Sequence, residues 1–287
     1  MDQRKENKMG TTPIFPLIVS MSLPAIFSML VQSLYNIVDS IFVAKISSQA
    51  LSAVSLAFPI QTLMISIAVG TGVGIKSVVS RRLGGGHFAD ADNTATHGFL
   101  LGFFNWMIIA LFGILGTKPF FHLFSDNPEI IKLGMEYTYI VTIASVGVFV
   151  EICMEKTLQA TGNMIYPMVF QLVGCITNLV LDPIMIFGLF GFPKMGIAGA
   201  ALATVIGQML AMTVSLVVVF TQNHAVTISL KKFHWNWRIV KDIYAVGFPS
   251  IIMQSISSVL VMGLNGILIT FSEAAVNVLG VYYKLQS

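Results

Sequence analysis

Seven long apolar stretches, separated by short polar connectors, decide what this chain can fold into. They fall at about 16–44, 51–79, 95–117, 130–153, 165–187, 196–220 and 243–271, and an eighth begins near Val276 and is cut at Ser287. A helix needs roughly 20 mostly apolar residues to cross the hydrocarbon of a bilayer. The chain is 55% hydrophobic and only 10% charged, whereas soluble domains carry roughly 25% charged residues. No water-facing surface can be assembled from this composition, so the solvent must be lipid. In lipid the backbone has to satisfy its own hydrogen bonds. The expectation is therefore an all-α, polytopic membrane helical bundle with seven full transmembrane helices and part of an eighth. The first fifteen residues are polar, and no small-residue cleavage site follows them, so the first helix is expected to stay in the membrane.

Orientation follows from the placement of Lys and Arg. With the N-terminus inside, the inner segments hold Arg4, Lys5, Lys8, Lys76, Arg81, Arg82, Lys156, Lys231, Lys232, Arg238 and Lys241. The outer segments hold only Lys45, Lys118, Lys132 and Lys194. The expected location is a bacterial inner membrane, with a cytoplasmic tail at residues 1–15. Trp235 and Trp237 lie among basic residues before the seventh span, which suits an amphipathic segment on the inner face.

The text around Pro24, SLPAIFSMLVQSLYNIVDSIFVAK, can be laid on that around Pro249, GFPSIIMQSISSVLVMGLNGILIT. Six spans separate the two, an even number, so both copies run in the same direction. This is the mark of a parallel repeat about an axis along the membrane normal. The domain expectation is a six-helix lobe at 16–220, a linker at 221–242, and the start of a second lobe at 243–287. A complete second copy would end at about residue 450, giving two six-helix lobes.

Ionisable groups inside a membrane are rare and usually face an interior cavity. Asp39, Glu151 and Asp182 lie within spans, and Glu155 near an inner span end. Ser28, Gln32, Tyr35, Asn36 and Asp39 recur at steps of three and four, one face of a helix. Gln171, Cys175, Asn178 and Asp182 form a similar stripe on the fifth span. At 1.5 Å per residue, Asp39 and Asp182 both lie roughly 8 Å below the outer boundary. Thr204 and Tyr139 sit a little deeper. Two carboxylates in one low-dielectric pocket cannot both ionise cheaply, so they are expected to titrate as a unit and to be neutralised by H⁺ or Na⁺. Bland readings stand beside this one. Asp182 precedes Pro183 and could cap a broken helix, and Asp39 could pair with Lys45. Glu151 and Glu155 could snorkel or pair with Lys156, or Glu151 could help hold a cationic ligand.

Several motifs together resemble the MATE (multidrug and toxic compound extrusion) transporters. They are Pro24 with Asn36-Ile37-Val38-Asp39, Ala50 to Ile60 (ALSAVSLAFPI), and Leu158 to Asn163 (LQATGN). To these add Asn178 to Pro183 (NLVLDP) and Gly196 to Thr204 (GIAGAALAT). The resemblance implies twelve helices in two lobes around a central cavity, and H⁺- or Na⁺-driven export of small organic cations by alternating access. It assigns cation binding to Asp39, Asn178, Asp182, Thr204 and a tyrosine on the fourth span, Tyr139 or, in the other alignment, Tyr137. It assigns a hinge to Pro24. Gln32, Tyr35, Asn36, Gln61 and Gln171 are expected to line the cavity. No cofactor is implied beyond the coupling ion, Na⁺ being the one metal in view, at Asp39 and Asp182. The second lobe is expected to be required for activity. One departure is the absence of an acid near Ser257, where some branches carry a glutamate on the seventh helix, so coupling is expected to rest on the first lobe.

Other classes fit less well. A lipid-linked oligosaccharide flippase of the same superfamily would line its cavity with basic residues, and the spans have almost none. A seven-helix receptor puts its N-terminus outside. An enzyme is not expected, because His87, His97, His122, His224 and His234 fall in loops or at span ends and no nucleophile–base pair is evident. Gly84-Gly85-Gly86 lacks the strand and lysine of a phosphate loop. Cys153 and Cys175 lack metal-ligand spacing, and no basic stripe suggests nucleic acid. A topology reporter fused to the N-terminal tail is expected to register the inner side of the membrane, and an outside signal would favour the receptor reading.

Overall fold

The computed structural model describes residues 12–222 and 225–286. Arg4, Lys5, Lys8, His224 and Ser287, on which part of the charge and span reading rests, lie outside the described residues. The described residues are mainly helical: α1 (Ile14–Ala44), α2 (Ser48–Gly84), α3 (Phe88–Phe124), α4 (Pro128–Ile143), α5 (Val146–Ala160), α6 (Ile165–Phe187), α7 (Ile197–Thr221), α8 (Trp237–Leu268) and α9 (Glu273–Gln286). Six of these are long and apolar enough to cross a membrane, and α4 with α5 makes a seventh crossing bent by 44°. The helices run several residues beyond the apolar windows. Polar ends such as Arg81-Arg82 on α2 and Asp90 to Asn93 on α3 continue the same hydrogen-bonded ladder.

Local chemistry sets the ends. The Ser47 side chain caps α2 by accepting from the Ala50 amide at 3.0 Å. Asn127 caps α4 by accepting from the Glu129 amide at 3.0 Å, with Pro128 in the first turn, where its missing N–H costs nothing. Gly188, at φ +73°, ends α6 in the left-handed region that a side chain disfavours.

The bend between α4 and α5 was not legible as a break, because the apolar text runs through it. Its cause is a run of hydroxyls that bond back to the preceding turn. Thr142 Oγ1 donates to the Thr138 carbonyl at 2.7 Å, and Ser145 Oγ to the Thr142 carbonyl at 2.7 Å. Such back-bonding bends helices. Gly113 of α3 leaves the space into which Thr142 packs.

The mast of the bundle is α2. Its apolar window is 61% buried, against 6% for α1 at the rim. Its most extensive contact is with α8, and α3, α4 and α5 pack around the rest of it. Glycines make the α2–α8 crossing possible. A Cβ on Gly74 would fall on the Ile243 carbonyl, and one on Gly70 on Ile251. Ser258 Oγ then donates to the Pro59 carbonyl at 2.6 Å. Tyr244 on α8 donates to Asn105 Oδ1 at 2.9 Å, and Asn105 Nδ2 donates to Thr71 Oγ1 at 2.9 Å. One buried polar chain thus ties α8 through α3 to α2.

The segment from Ala225 to Asn236 precedes α8. Apart from a single turn at Leu230–Lys232 it is not helical. It runs as a strap over the start of α3, because side chains there satisfy its backbone. Asp92 accepts from the Thr227 amide at 2.8 Å, and Thr96 Oγ1 from the Ser229 amide at 3.3 Å. His97 lies 2.8 Å from the Asn93 carbonyl through Nδ1, and its Nε2 accepts from the Asn236 amide at 3.0 Å. Phe233 and Trp235 pack on the His97 ring. Arg81 and Arg82 meet Asp242 at 3.6 and 3.4 Å nearby.

Overpacking a tight core costs about 1–3 kcal/mol. Gly74→Val is expected to lower unfolding stability in detergent by about that much, while Gly263→Ala, where a Cβ meets open space, leaves it unchanged. Equal stability of the two variants would mean that the α2–α8 crossing is not the close contact described.

Candidate functional site

The site begins with a seam of small residues. Membrane helices approach closely where Gly and Ala face each other, and α7 presents Gly199, Ala200, Ala203 and Gly207. A Cβ on Gly199 would strike the Met185 carbonyl of α6, and one on Gly207 the Gly174 carbonyl. This approach brings Asn178 and Asp182 of α6 against Thr204 of α7. The surroundings of the Asn178 amide settle which way it faces. Its NH₂ donates to Asp182 Oδ2 at 2.6 Å, and its oxygen accepts from the Thr204 amide at 2.9 Å and the Thr204 hydroxyl at 3.0 Å. Thr204 Oγ1 also lies 3.0 Å from the Ala200 carbonyl. Asp182 is fully buried and Asn178 nearly so. Pro183, next in sequence, sits inside α6.

The first helix brings the second acid. Asp39 is 8% exposed, and Tyr35, one turn earlier on α1, shares a pocket wall with Thr204. Asp39 and Asp182 both act electrostatically on the Tyr35 hydroxyl and both on that of Tyr137. Tyr137 in turn accepts from Gln61 Nε2 at 2.9 Å. Four helices, α1, α4, α6 and α7, therefore converge on one buried polar cluster, with Gln61 of α2 steadying it from behind.

Tyr139 is placed otherwise than expected, and Asn36 and Gln61 do not line the pocket below the acids. Tyr137, not Tyr139, stands beside the acids. Residues two apart on a helix point roughly 200° apart, so only one can face inward. Tyr139 lines a surface groove with His122, Asp126 and Lys132. Asn36 stands off the cavity wall, about 100° round the helix from Tyr35, and its carbonyl accepts from Ser40 Oγ at 2.7 Å. Gln61 acts through Tyr137 and does not line the cavity. Pro24 lies within a continuous α1, its carbonyl accepting from Ser28 Oγ at 2.9 Å.

Below the acids opens a cavity of about 260 Å³. Tyr35, Asn178 and Thr204 form its upper end, Gln32 part of its wall, and Glu155, Lys156 and Gln171 its lower end. The Glu155 carboxylate is well supplied. Lys156 Nζ lies at 2.8 Å, Gln159 Nε2 donates at 2.6 Å, and Gln171 Nε2 donates at 3.4 Å. The expected pairing with Lys156 therefore holds for Glu155 but not for Glu151, whose buried Oε1 has no hydrogen-bond partner.

Comparison with known proteins adds family to geometry. The MatE family model matches residues 24–184. An "FAD transporter" of Shewanella oneidensis is 25% identical over 280 residues, covering 96% of this chain and 61% of that protein. "Multidrug export protein MepA" of Staphylococcus saprophyticus is 24% identical over 273 residues, covering 95% and 60%. A solved structure described as the inward-facing conformation of a multidrug resistance MATE family transporter superposes with a TM-score of 0.84 at 30% identity, covering 93% of this chain and 60% of that one. Another, a MOP superfamily transporter from Pyrococcus furiosus, gives a TM-score of 0.79 at 28% identity, covering 94% and 65%. The chain thus spans about three fifths of the length of its relatives.

The Asn178–Thr204 contact makes a measurable claim. In a double-mutant cycle with Asn178→Ala and Thr204→Ala, unfolding free energies are expected to couple by about 0.5–1.5 kcal/mol. Simple additivity would mean that the two side chains do not form one network.

Proposed function

Because this chain belongs to the MatE family of membrane transporters, we propose that the protein is a multidrug-type antiporter. It exports small organic cations and is driven by H⁺ or Na⁺ bound at Asp39 and Asp182. The observation that carries this reading is the burial of both acids within reach of the same two tyrosine hydroxyls. Hard oxygen donors of that kind suit a proton or Na⁺, and a carboxylate pair in a shared low-dielectric pocket is far easier to hold once one charge is neutralised.

In the proposed cycle, the site opens outward and takes up a cation from outside. Neutralisation removes the repulsion between α1 and α6, and α1 shifts about Pro24. The new arrangement holds the organic cation less well and releases it outward. The coupling lies in the difference between the affinities of the two states for ion and cargo. The N-terminus is placed inside, following the loop charges, and residues 16–220 act as the first of two lobes, with 243–287 starting the second.

The relative named as an FAD transporter raises a second cargo, an anionic dinucleotide. The cavity wall argues against it for this chain, because Glu151 and Glu155 face one lysine that Glu155 already occupies.

Asp39→Asn in the complete protein is expected to reduce gradient-driven efflux of a cationic dye to that of cells without the exporter, while the purified variant keeps its elution profile and its thermal stability. Efflux at the original rate under both pH and Na⁺ gradients would remove Asp39 from coupling.

A further inference from the structure

The cavity below the coupling acids has a one-sided chemistry. Three buried oxygens on its wall accept no hydrogen bond: Glu151 Oε1 on α5, Gln171 Oε1 on α6 and Gln208 Oε1 on α7. Buried polar atoms are almost always paired, and leaving one unmade forfeits its hydration without return. All three atoms are acceptors, so what is missing from the wall is a donor. The Gln171 amide cannot simply turn round, since its NH₂ already donates to Glu155 Oε2 at 3.4 Å.

Charge points the same way. Glu155 is held by Lys156 at 2.8 Å, so the lysine is already engaged and Glu151 has no cation of its own. Lys76, on α2, is within electrostatic reach of Glu155 and Lys156 but does not line the cavity. Counted with both carboxylates ionised, Glu151, Glu155 and Lys156 leave the wall with one surplus negative charge. The space, about 260 Å³, is below the range of roughly 300–1,000 Å³ for pockets that enclose a whole drug-sized ligand. It holds a head group and a few carbons, with the remainder of a ligand outside.

We propose that Glu151, Gln171 and Gln208 form a head-group site for a protonated amine. An –NH₃⁺ group brings three donors and one positive charge, matching three acceptors and one surplus negative charge. A quaternary ammonium brings the charge but no N–H, and leaves the same three oxygens unpaired. The site therefore selects cargo by hydrogen-bond donors as well as by charge. It deepens the organic-cation reading above and rests on it. Gln171 and Asp182 are eleven residues apart on α6, about 16 Å of helix, so amine and coupling ion are held by different oxygens.

The test uses the 287-residue chain in nanodiscs and two fluorescent probes, dansylcadaverine and its N,N,N-trimethyl counterpart, titrated at constant ionic strength. Wild type is expected to bind the primary ammonium about tenfold or more tightly than the quaternary one, the worth of hydrogen bonds to a charged group. Glu151→Gln is expected to bring the two affinities to within about twofold, and Gln208→Leu to narrow the gap without changing the charge. If Glu151→Gln does not fold, the wild-type preference and Gln208→Leu decide. Equal affinities in wild type, the outcome if water alone fills the cavity, overturn the amine site and leave the exporter reading standing. So does a preference that survives both variants. Failure of both probes to bind overturns the organic-cation reading itself, and the amine site with it.

Discussion

A carboxylate inside a bilayer has to be met by polar groups, and meeting Asp182 depends on how closely α6 and α7 approach. Gly199 lies on the backbone of Met185, and Gly207 on that of Gly174. With larger residues the helices would stand farther apart and the Thr204 amide could not reach Asn178. Asn178 would then lose the contact that turns its NH₂ toward Asp182. The small-residue seam thus fixes an amide, the amide serves a carboxylate, and the carboxylate shares its pocket with Asp39 through Tyr35 and Tyr137. In lipid there is no hydrophobic drive between helices, so close packing and hydrogen bonds of this kind carry the association.

The same logic separates the two ends of the chain. Through Gly70, Gly74 and Gly247 the mast α2 meets α8, backbone against backbone, with Ser258 closing the contact on Pro59. The strap from Ala225 to Asn236 is held to α3 by side chains that serve its amides. The first crossing seats side chains in notches, with Ile251 over Gly70 and Ile243 over Gly74. The second is a set of directional bonds. Together they hold α8 to the bundle along its crossing and at its start. At the rim, α1 carries Asp39 on a helix whose apolar window is almost wholly exposed, so the acid with the least scaffold around it lies on the least buried span.

Much of this was legible in the residues. The apolar windows located the crossings, and the stripes Gln32-Tyr35-Asp39 and Gln171-Asn178-Asp182 identified the inward faces, because a polar group on a lipid face is too costly to recur at helical spacing. Depth counted by helix rise put Asp39 and Asp182 at one level. What escaped is what depends on partners distant in sequence. The choice between Tyr137 and Tyr139 turns on the rotation of α4, which the break at Ala144-Ser145 and the packing of Gly113 on Thr142 set. The strap escaped because its backbone donors are satisfied by Asp92, Thr96 and His97, more than a hundred residues earlier. The sequence leaves Glu151 and Glu155 to snorkel or to pair with Lys156, or Glu151 to hold a cationic ligand, and only the geometry separates the two acids.

The two acidic groups differ in what they leave for a visitor. At Asp182 the protein supplies the Asn178 NH₂, a donor fixed by the fold, and the hydroxyls of Tyr35 and Tyr137 lie within electrostatic reach of both acids. At Glu151 one buried carboxylate oxygen is left with no donor. A carboxylate already given donors is adjusted by something as small as a proton or Na⁺, whereas one left short of a donor calls for a ligand that brings its own N–H groups. Asn178 belongs to both neighbourhoods, bonding Asp182 on one side and forming the cavity's upper end on the other. Neutralising Asp182 weakens the charge-assisted bond that holds the Asn178 amide in place. In the proposed cycle the wall of the cavity then loosens at the residue nearest the coupling ion. Ion and amine need not touch for each to alter the footing of the other. The shared residue is enough, provided the cavity takes two arrangements for which the ion and the amine differ in preference.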